Sequence, residues 1–130
     1  MPTEKYQAGL AIRHSMFGVD VTNRQIDEAS PFLRQMQDIV TENCFGEVWT
    51  RPALDRRTRS LLTIAMLIGL GRSHEIRIHV KGALSNGATE DELGELLRHA
   101  AVYCGVPAAV DAFINTDAVL RERACEVGRA

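Results

Sequence analysis

The sequence predicts an all-α protein of five to six short helices. Three observations carry this. No stretch alternates apolar and polar residues as a half-buried strand does. Apolar residues recur instead at helical spacing, as in Phe32, Met36, Ile39 and Val40, and again in Leu93, Leu96, Leu97 and Ala100. Helix start and stop residues punctuate the chain: Pro31 after Ser30, Thr89 with Glu92, then Gly71, Gly87 and Gly105.

In order, residues 4–17 form a first helical stretch that ends near Gly18. Residues 24–44 form a longer one, with a fresh start at Ser30–Pro31 because proline suits the first helical position. Residues 45–52 (FGEVWTRP) are expected to be a loop, marked by Gly46 and Pro52. Residues 53–70 begin charged and turn apolar all round after Ser60, the pattern of a buried helix. Gly71 stops it, and Ser73 is expected to cap a helix over about 74–86 that closes at Asn86–Gly87. Thr89 and Glu92 form a capping box opening a helix to about Tyr103. Gly105 ends that one, and Pro107 starts the last, with Val110, Phe113 and Ile114 expected in the core. The tail after about Arg123 is expected to fray.

A chain of 130 residues is one domain's worth, 1–130. At this size it buries roughly two-thirds of its unfolded surface and needs no disulfide or metal staple. Fifteen basic and seventeen acidic residues leave a net charge of −2, which argues against nucleic acid or an anionic membrane as partner. Thirteen of the fifteen basic residues are arginine, the side chain suited to gripping carboxylates in paired hydrogen bonds. The longest apolar run, Leu61 to Leu70, is too short to span a bilayer. No secretory leader pattern precedes residue 30, so a cytoplasmic location is expected. Cys44, Cys104 and Cys125 are scattered and form no CxxC, so they are expected to be buried or half-buried free thiols. Gly69 and Gly71 flank Leu70 without the rest of a dinucleotide fingerprint. The apolar central helices imply an oligomer that covers them.

Residues 74–86 hold the most informative pattern. At about 100° per residue, His74, Arg77, Lys81 and Ser85 share a solvated face. Ile76, Val80 and Ala83 face the core. Glu75 and His79 fall beside the core face and lie four apart, so their side chains can meet. Charge placed beside apolar residues is costly unless paired. The pair is either a self-satisfying bridge to a neighbouring helix or an acid/base pair lining a cleft, Glu75 stabilising His79 as it moves a proton. A metal would need a third ligand that neither His74 nor His99 supplies, so none is expected.

Arg51, Arg56, Arg57, Arg59 and Arg72 cluster in sequence. Arg56 and Arg57 suit a solvated helix start with Asp55 as partner. Arg51 sits between Trp49 and Pro52, where a guanidinium can lie on an aromatic ring. Arg72 precedes a helix start, a mild anion site. Together they suit a small anion. Trp49 alone reads as packing or as a wall of such a site. His99 and Tyr103 repeat the four-residue spacing and read as a core-edge pair.

The segment RPALDRRTRSLLTIAMLIGLGRSHEIRIHVKGALSNGATEDEL (51–93), followed by LLRHAAVYCGVPAA (96–109), resembles the carboxymuconolactone decarboxylase family. EVWTRPAL (47–54) and YQAGLAIRHSMFG (6–18) resemble its decarboxylase branch. The resemblance implies an all-α fold shared with alkylhydroperoxidase-type proteins and assembly as a hexamer. It also implies cofactor-free conversion of γ-carboxymuconolactone to β-ketoadipate enol-lactone in protocatechuate catabolism. The peroxidase branch carries CxxCxxxH. Aligned on His79, this chain has Arg72 and Glu75 at the two cysteine positions, so the dithiol chemistry should be gone. The decarboxylase branch often has tryptophan where this chain has Phe45.

On this resemblance His79 backed by Glu75 is expected to deliver the proton. Arg51, Arg59 and Arg72 are expected to hold a dianionic lactone, with Trp49, His99 and Tyr103 nearby. The alternatives are an enzyme for a related lactone or oxo acid on the same scaffold, a peroxidase-branch redox protein, and a non-enzymatic binding module.

Overall fold

The computed structural model describes residues 2–129, and among them it is helical throughout, with no strand. The helices are α1 (Glu4–Phe17), α2 (Val19–Asp27), α3 (Pro31–Ile39), α4 (Arg56–Leu70), α5 (Ser73–Ser85), α6 (Glu90–Cys104) and α7 (Val106–Arg129). A π-helical segment, Val40–Val48, continues α3. The chain divides into two compact units, Met1–Arg56 and Arg57–Ala130.

The described residues thus hold seven α-helices where five to six were expected. Gly18 ends α1 in a left-handed conformation (φ 95°), donating to His14 O at 3.0 Å, and α2 begins at the next residue instead of at 24. The expected loop at 45–52 is helical to Val48, with i→i+5 bonding that closes on Trp49 N–H to Cys44 O at 3.1 Å. Gly46 does not break the helix because it serves another purpose. A Cβ there would stand 2.1 Å from Lys5 O, and one on Gly9 would stand 1.8 Å from Thr41 O. Backbone meets backbone where α1 crosses the π segment, and only glycine leaves the room.

The first unit's core is Ile12, Met16, Phe45 and Trp49, with Phe17 edge-on to Phe45. Arg13 is buried beside it, 4% exposed. Its guanidinium donates to Thr41 Oγ1 at 2.8 Å and to Gln25 Oε1 at 3.0 Å, tying α1 to the π segment and α2.

The second unit's core is built on Ile64, Ile68, Ile76, Val80, Leu93, Leu97, Ala112 and Val119. Gly71 closes α4, with Arg72 N–H bonding back to Leu67 O at 3.0 Å. The capping box of α6 forms as expected: Glu92 N–H donates to Thr89 Oγ1, and Thr89 N–H to Glu92 Oε1. The same Glu92 carboxylate takes Arg57, which donates through Nε at 3.1 Å and Nη2.

Several expectations are corrected. Ser73 does not cap α5: Arg72 is the N-cap, and the Ser73 hydroxyl donates to Asp111 Oδ2 at 2.6 Å. Val110, Phe113 and Ile114 are exposed, because the buried stripe of α7 runs through the smaller Ala109, Ala112, Thr116 and Val119. In α4 only Ser60, Ile64 and Ile68 are fully buried, leaving Leu62, Met66 and Leu70 exposed, Leu70 at 72%. Phe32, Met36 and Ile39 are also outside, Phe32 at 83%. The α7 helix continues unbroken past Arg123. The three cysteines are free and exposed, where buried or half-buried thiols were expected. No helix among the described residues is long and apolar enough to cross a membrane.

Candidate active site

Helix α5 turns Ile76, Val80 and Ala83 into the core of the second unit, as its periodicity requires. That rotation sets Glu75 and His79 at the border between core and surface. Glu75 lies in the first turn, with a third of its side chain exposed. Its carboxylate accepts Arg72 Nη2–H at 2.8 Å. The Arg72 hydrogen bond is the main reason this carboxyl is held below its usual range, and the pairing pushes Arg72 upward in turn.

His79 sits one turn further on, half-buried. Burial pushes its imidazole below its ordinary value of 6.5, and the charge of Glu75 pulls it partly back. Desolvation is the larger of the two, so the ring is neutral at neutral pH. Glu75 therefore has two roles, as partner of Arg72 and as a field on His79. The sequence pointed only to the second.

Behind this turn lies a polar network that the sequence did not reveal. Asp111 accepts the Ser73 hydroxyl, and the Asn115 side chain donates to Asp111 O at 2.8 Å and to Oδ1 at 3.2 Å. Arg77 Nε–H donates to Asn115 Oδ1 at 2.6 Å. Ser73 and Arg77 are four apart on α5, and Asp111 and Asn115 are four apart on α7. Two rungs one turn apart thus fix the helices lengthwise. The i,i+4 spacing of Asp111 and Asn115 was visible, but nothing local says that it matches Ser73 and Arg77.

The other predicted site residues are distributed as follows. Arg59 lies half-buried on α4. His99 and Tyr103 do meet on α6, ring centroids 4.9 Å apart, but on the surface, Tyr103 78% exposed, and not at a core edge. Trp49 is 7% exposed in the core of the first unit, its ring 5.3 Å from that of Phe45. Arg51 is exposed in that same unit, its N–H donating to Val48 O. Arg57, expected beside Asp55, is held by Glu92. The structure thus gathers Arg72, Glu75 and His79 on α5 and pairs His99 with Tyr103, while Trp49 and Arg51 belong to the other unit. Among the described residues no three His, Cys, Asp or Glu side chains converge as a metal cage would.

Chemically, α5 offers a neutral imidazole, a carboxylate that modulates it, and an exposed guanidinium. That set can hold a carboxylate and move one proton. Residues 34–118 match the carboxymuconolactone decarboxylase family. A 4-carboxymuconolactone decarboxylase of Acinetobacter baylyi is 39% identical over 119 residues, 92% of this chain and 89% of that protein. A nitrosuccinic acid decarboxylase of Metarhizium robertsii is 39% identical over 117 residues, 90% of this chain and 82% of that protein. An uncharacterized 15.0 kDa protein of Paracoccus denitrificans is 35% identical over 83 residues, 62% of each chain. With the match running from α3 into α7, and two relatives aligned over nearly the full length, this chain belongs to the carboxymuconolactone decarboxylase family.

Proposed function

We propose that the protein is a 4-carboxymuconolactone decarboxylase, releasing carbon dioxide from γ-carboxymuconolactone to give β-ketoadipate enol-lactone in protocatechuate catabolism. The observation that carries this reading is the half-buried His79 one turn from the Arg72–Glu75 pair, in a chain 39% identical to a relative of that name.

The departing carboxylate sits on a ring carbon conjugated through a double bond to the lactone carbonyl. Its electron pair flows into that carbonyl as carbon dioxide leaves, forming a dienolate. The substrate is its own electron sink, so no cofactor is called for. A Schiff base finds no suitable amine, since both lysines lie on the surface in ion pairs, Lys5 with Glu47 and Lys81 with Glu122. Arg72, with Arg59 of the same unit, holds the substrate carboxylates. A bound dianion favours the imidazolium that burial disfavours, and His79 then gives its proton to the ring carbon. The His99–Tyr103 pair of the same unit offers a stacking surface.

A second reading rests on the relative named for nitrosuccinic acid. There the electron sink would be a nitro group on an aliphatic diacid, and the same arginines and histidine would serve. The replacement of tryptophan by Phe45 also leaves room for a related lactone or oxo acid.

The subunits assemble with copies of themselves, as a hexamer by family likeness, on the alkylhydroperoxidase-type scaffold. What supports this is the apolar surface each unit leaves open: Phe32, Leu33 and Met36 in the first, Met66, Leu70, Val102, Val106 and Ile114 in the second. The expected location is the cytoplasm.

The deciding experiment follows loss of γ-carboxymuconolactone by ultraviolet absorbance with purified, chelator-treated protein, beside nitrosuccinate. Turnover of the lactone supports the first reading. Turnover of nitrosuccinate alone replaces it with the second.

A further inference from the structure

A decarboxylase that finishes by protonating carbon must carry a group that gives up a proton. Whether that group rests charged or uncharged decides what else the site can do. Here the resting state is set by geometry. Glu75, the carboxylate one turn from His79, is engaged by Arg72 Nη2 at 2.8 Å. His79 is flanked along α5 by the fully buried Ile76 and Val80 and is half-buried itself. An imidazole in that setting rests uncharged, and an uncharged imidazole is a base.

We propose that the protein has a second activity: it exchanges one carbon-bound hydrogen of its decarboxylated product with solvent, with His79 as the base. This rests on the decarboxylase reading above. The product, β-ketoadipate enol-lactone, carries a ring methylene between the lactone carbonyl and the ring double bond, so its hydrogens are acidic. His79 takes one proton from that carbon. The C–H bond breaks, its electron pair moves through the ring onto the lactone oxygen as the dienolate, and the imidazole becomes imidazolium. The imidazolium N–H exchanges with deuterated water. The deuteron then returns to the same carbon as the electron pair falls back. One hydrogen is replaced by one deuterium, no carbon dioxide is taken up, and no oxidant or reductant takes part. Arg72 serves the product's remaining carboxylate as it serves the substrate. A fixed base reaches one face of the ring, so only one of the two methylene hydrogens is exchanged, whereas spontaneous exchange removes both.

The test incubates β-ketoadipate enol-lactone with the protein in deuterated water and reads the methylene by proton NMR and mass spectrometry. The same preparation is assayed for decarboxylation. The expected result is a single deuterium per molecule, incorporated on the order of a hundredfold faster than in buffer. His79→Gln and His79→Asn, checked for native helix content by circular dichroism, should both fall to the buffer rate. A protein that decarboxylates the lactone yet exchanges no faster than buffer overturns the proposal and leaves the decarboxylase reading standing. Folded His79 variants that exchange at the wild-type rate also overturn it. Single-face exchange by a protein that does not decarboxylate the lactone supports the base and removes the decarboxylase reading instead.

Discussion

Thr41 presents its backbone carbonyl to Gly9 so closely that a Cβ on Gly9 would lie 1.8 Å away. The same crossing sets Gly46 against the carbonyl of Lys5. Neither carbonyl is a flexible side-chain end, so neither can step aside without moving its helix.

Gly9→Ala and Gly46→Ala are therefore expected to destabilise the protein, each by about 2–3 kcal/mol, the upper part of the range for overpacking a close-fitted contact. Gly94→Ala, whose added Cβ meets nothing within 4 Å, should be neutral or slightly stabilising in the middle of α6. Urea unfolding of the three variants measures the contrast.

Burial of His79 makes stability depend on pH with a definite sign. The folded protein holds this imidazole below the 6.5 of the unfolded chain. Between the two values the unfolded state binds more protons, so acid favours unfolding. Its contribution is full above about 6.5 and is lost as pH falls through that region. His79→Gln, which does not titrate, should flatten this part of the stability–pH curve. An equally steep curve in the variant would place the titration elsewhere.

Much of the second unit was legible in the sequence, because its signals are local. The Thr89–Glu92 box needs four residues, and the inward stripe Ile76, Val80, Ala83 needs two turns. The first unit was less legible. Gly46 reads as a breaker until the crossing with α1 is seen, and that contact joins residues some forty positions apart. Pattern alone also misplaced Val110, Phe113 and Ile114. A helical stripe says which residues share a face, and it does not say whether the face meets its own subunit or another surface. The site divides in the same way. Glu75 and His79 were found from their spacing, whereas Asp111 and Asn115 were missed because their partners lie on another helix.

Glu75 acts on His79 and Arg72 engages Glu75, and NMR titration of the imidazole tests each separately. Glu75→Gln removes the negative charge that supports the imidazolium, so the His79 midpoint should fall further. Arg72→Met removes the cation that engages Glu75, so the midpoint should rise. Decarboxylation should weaken in both variants for different reasons. If His79 is the proton donor as proposed, Glu75→Gln should lower kcat by making it harder to charge. On the proposed role of Arg72, Arg72→Met should raise KM by removing a carboxylate partner.

Ser73→Ala and Asp111→Ala each break the Ser73–Asp111 hydrogen bond, one of the two rungs between α5 and α7, and each should cost about 1–2 kcal/mol. Because both remove one contact, their effects should not add. A double-mutant cycle in urea is expected to return a coupling of about 1 kcal/mol. Asp111→Asn, which keeps an oxygen facing Ser73, should recover part of the loss. Strict additivity would show that the contact contributes nothing in solution.

Arg13 has a consequence of a different kind. A guanidinium does not shed its charge when buried, so its neighbours must stay in place to solvate it. Thr41 and Gln25 do this from two further segments of the chain. If α1 pulled away alone, a cation would be left facing a partly dry cleft. Opening of the first unit is therefore expected to be all-or-none, with the amides of α1, α2 and the π segment exchanging as one unit with a shared opening free energy.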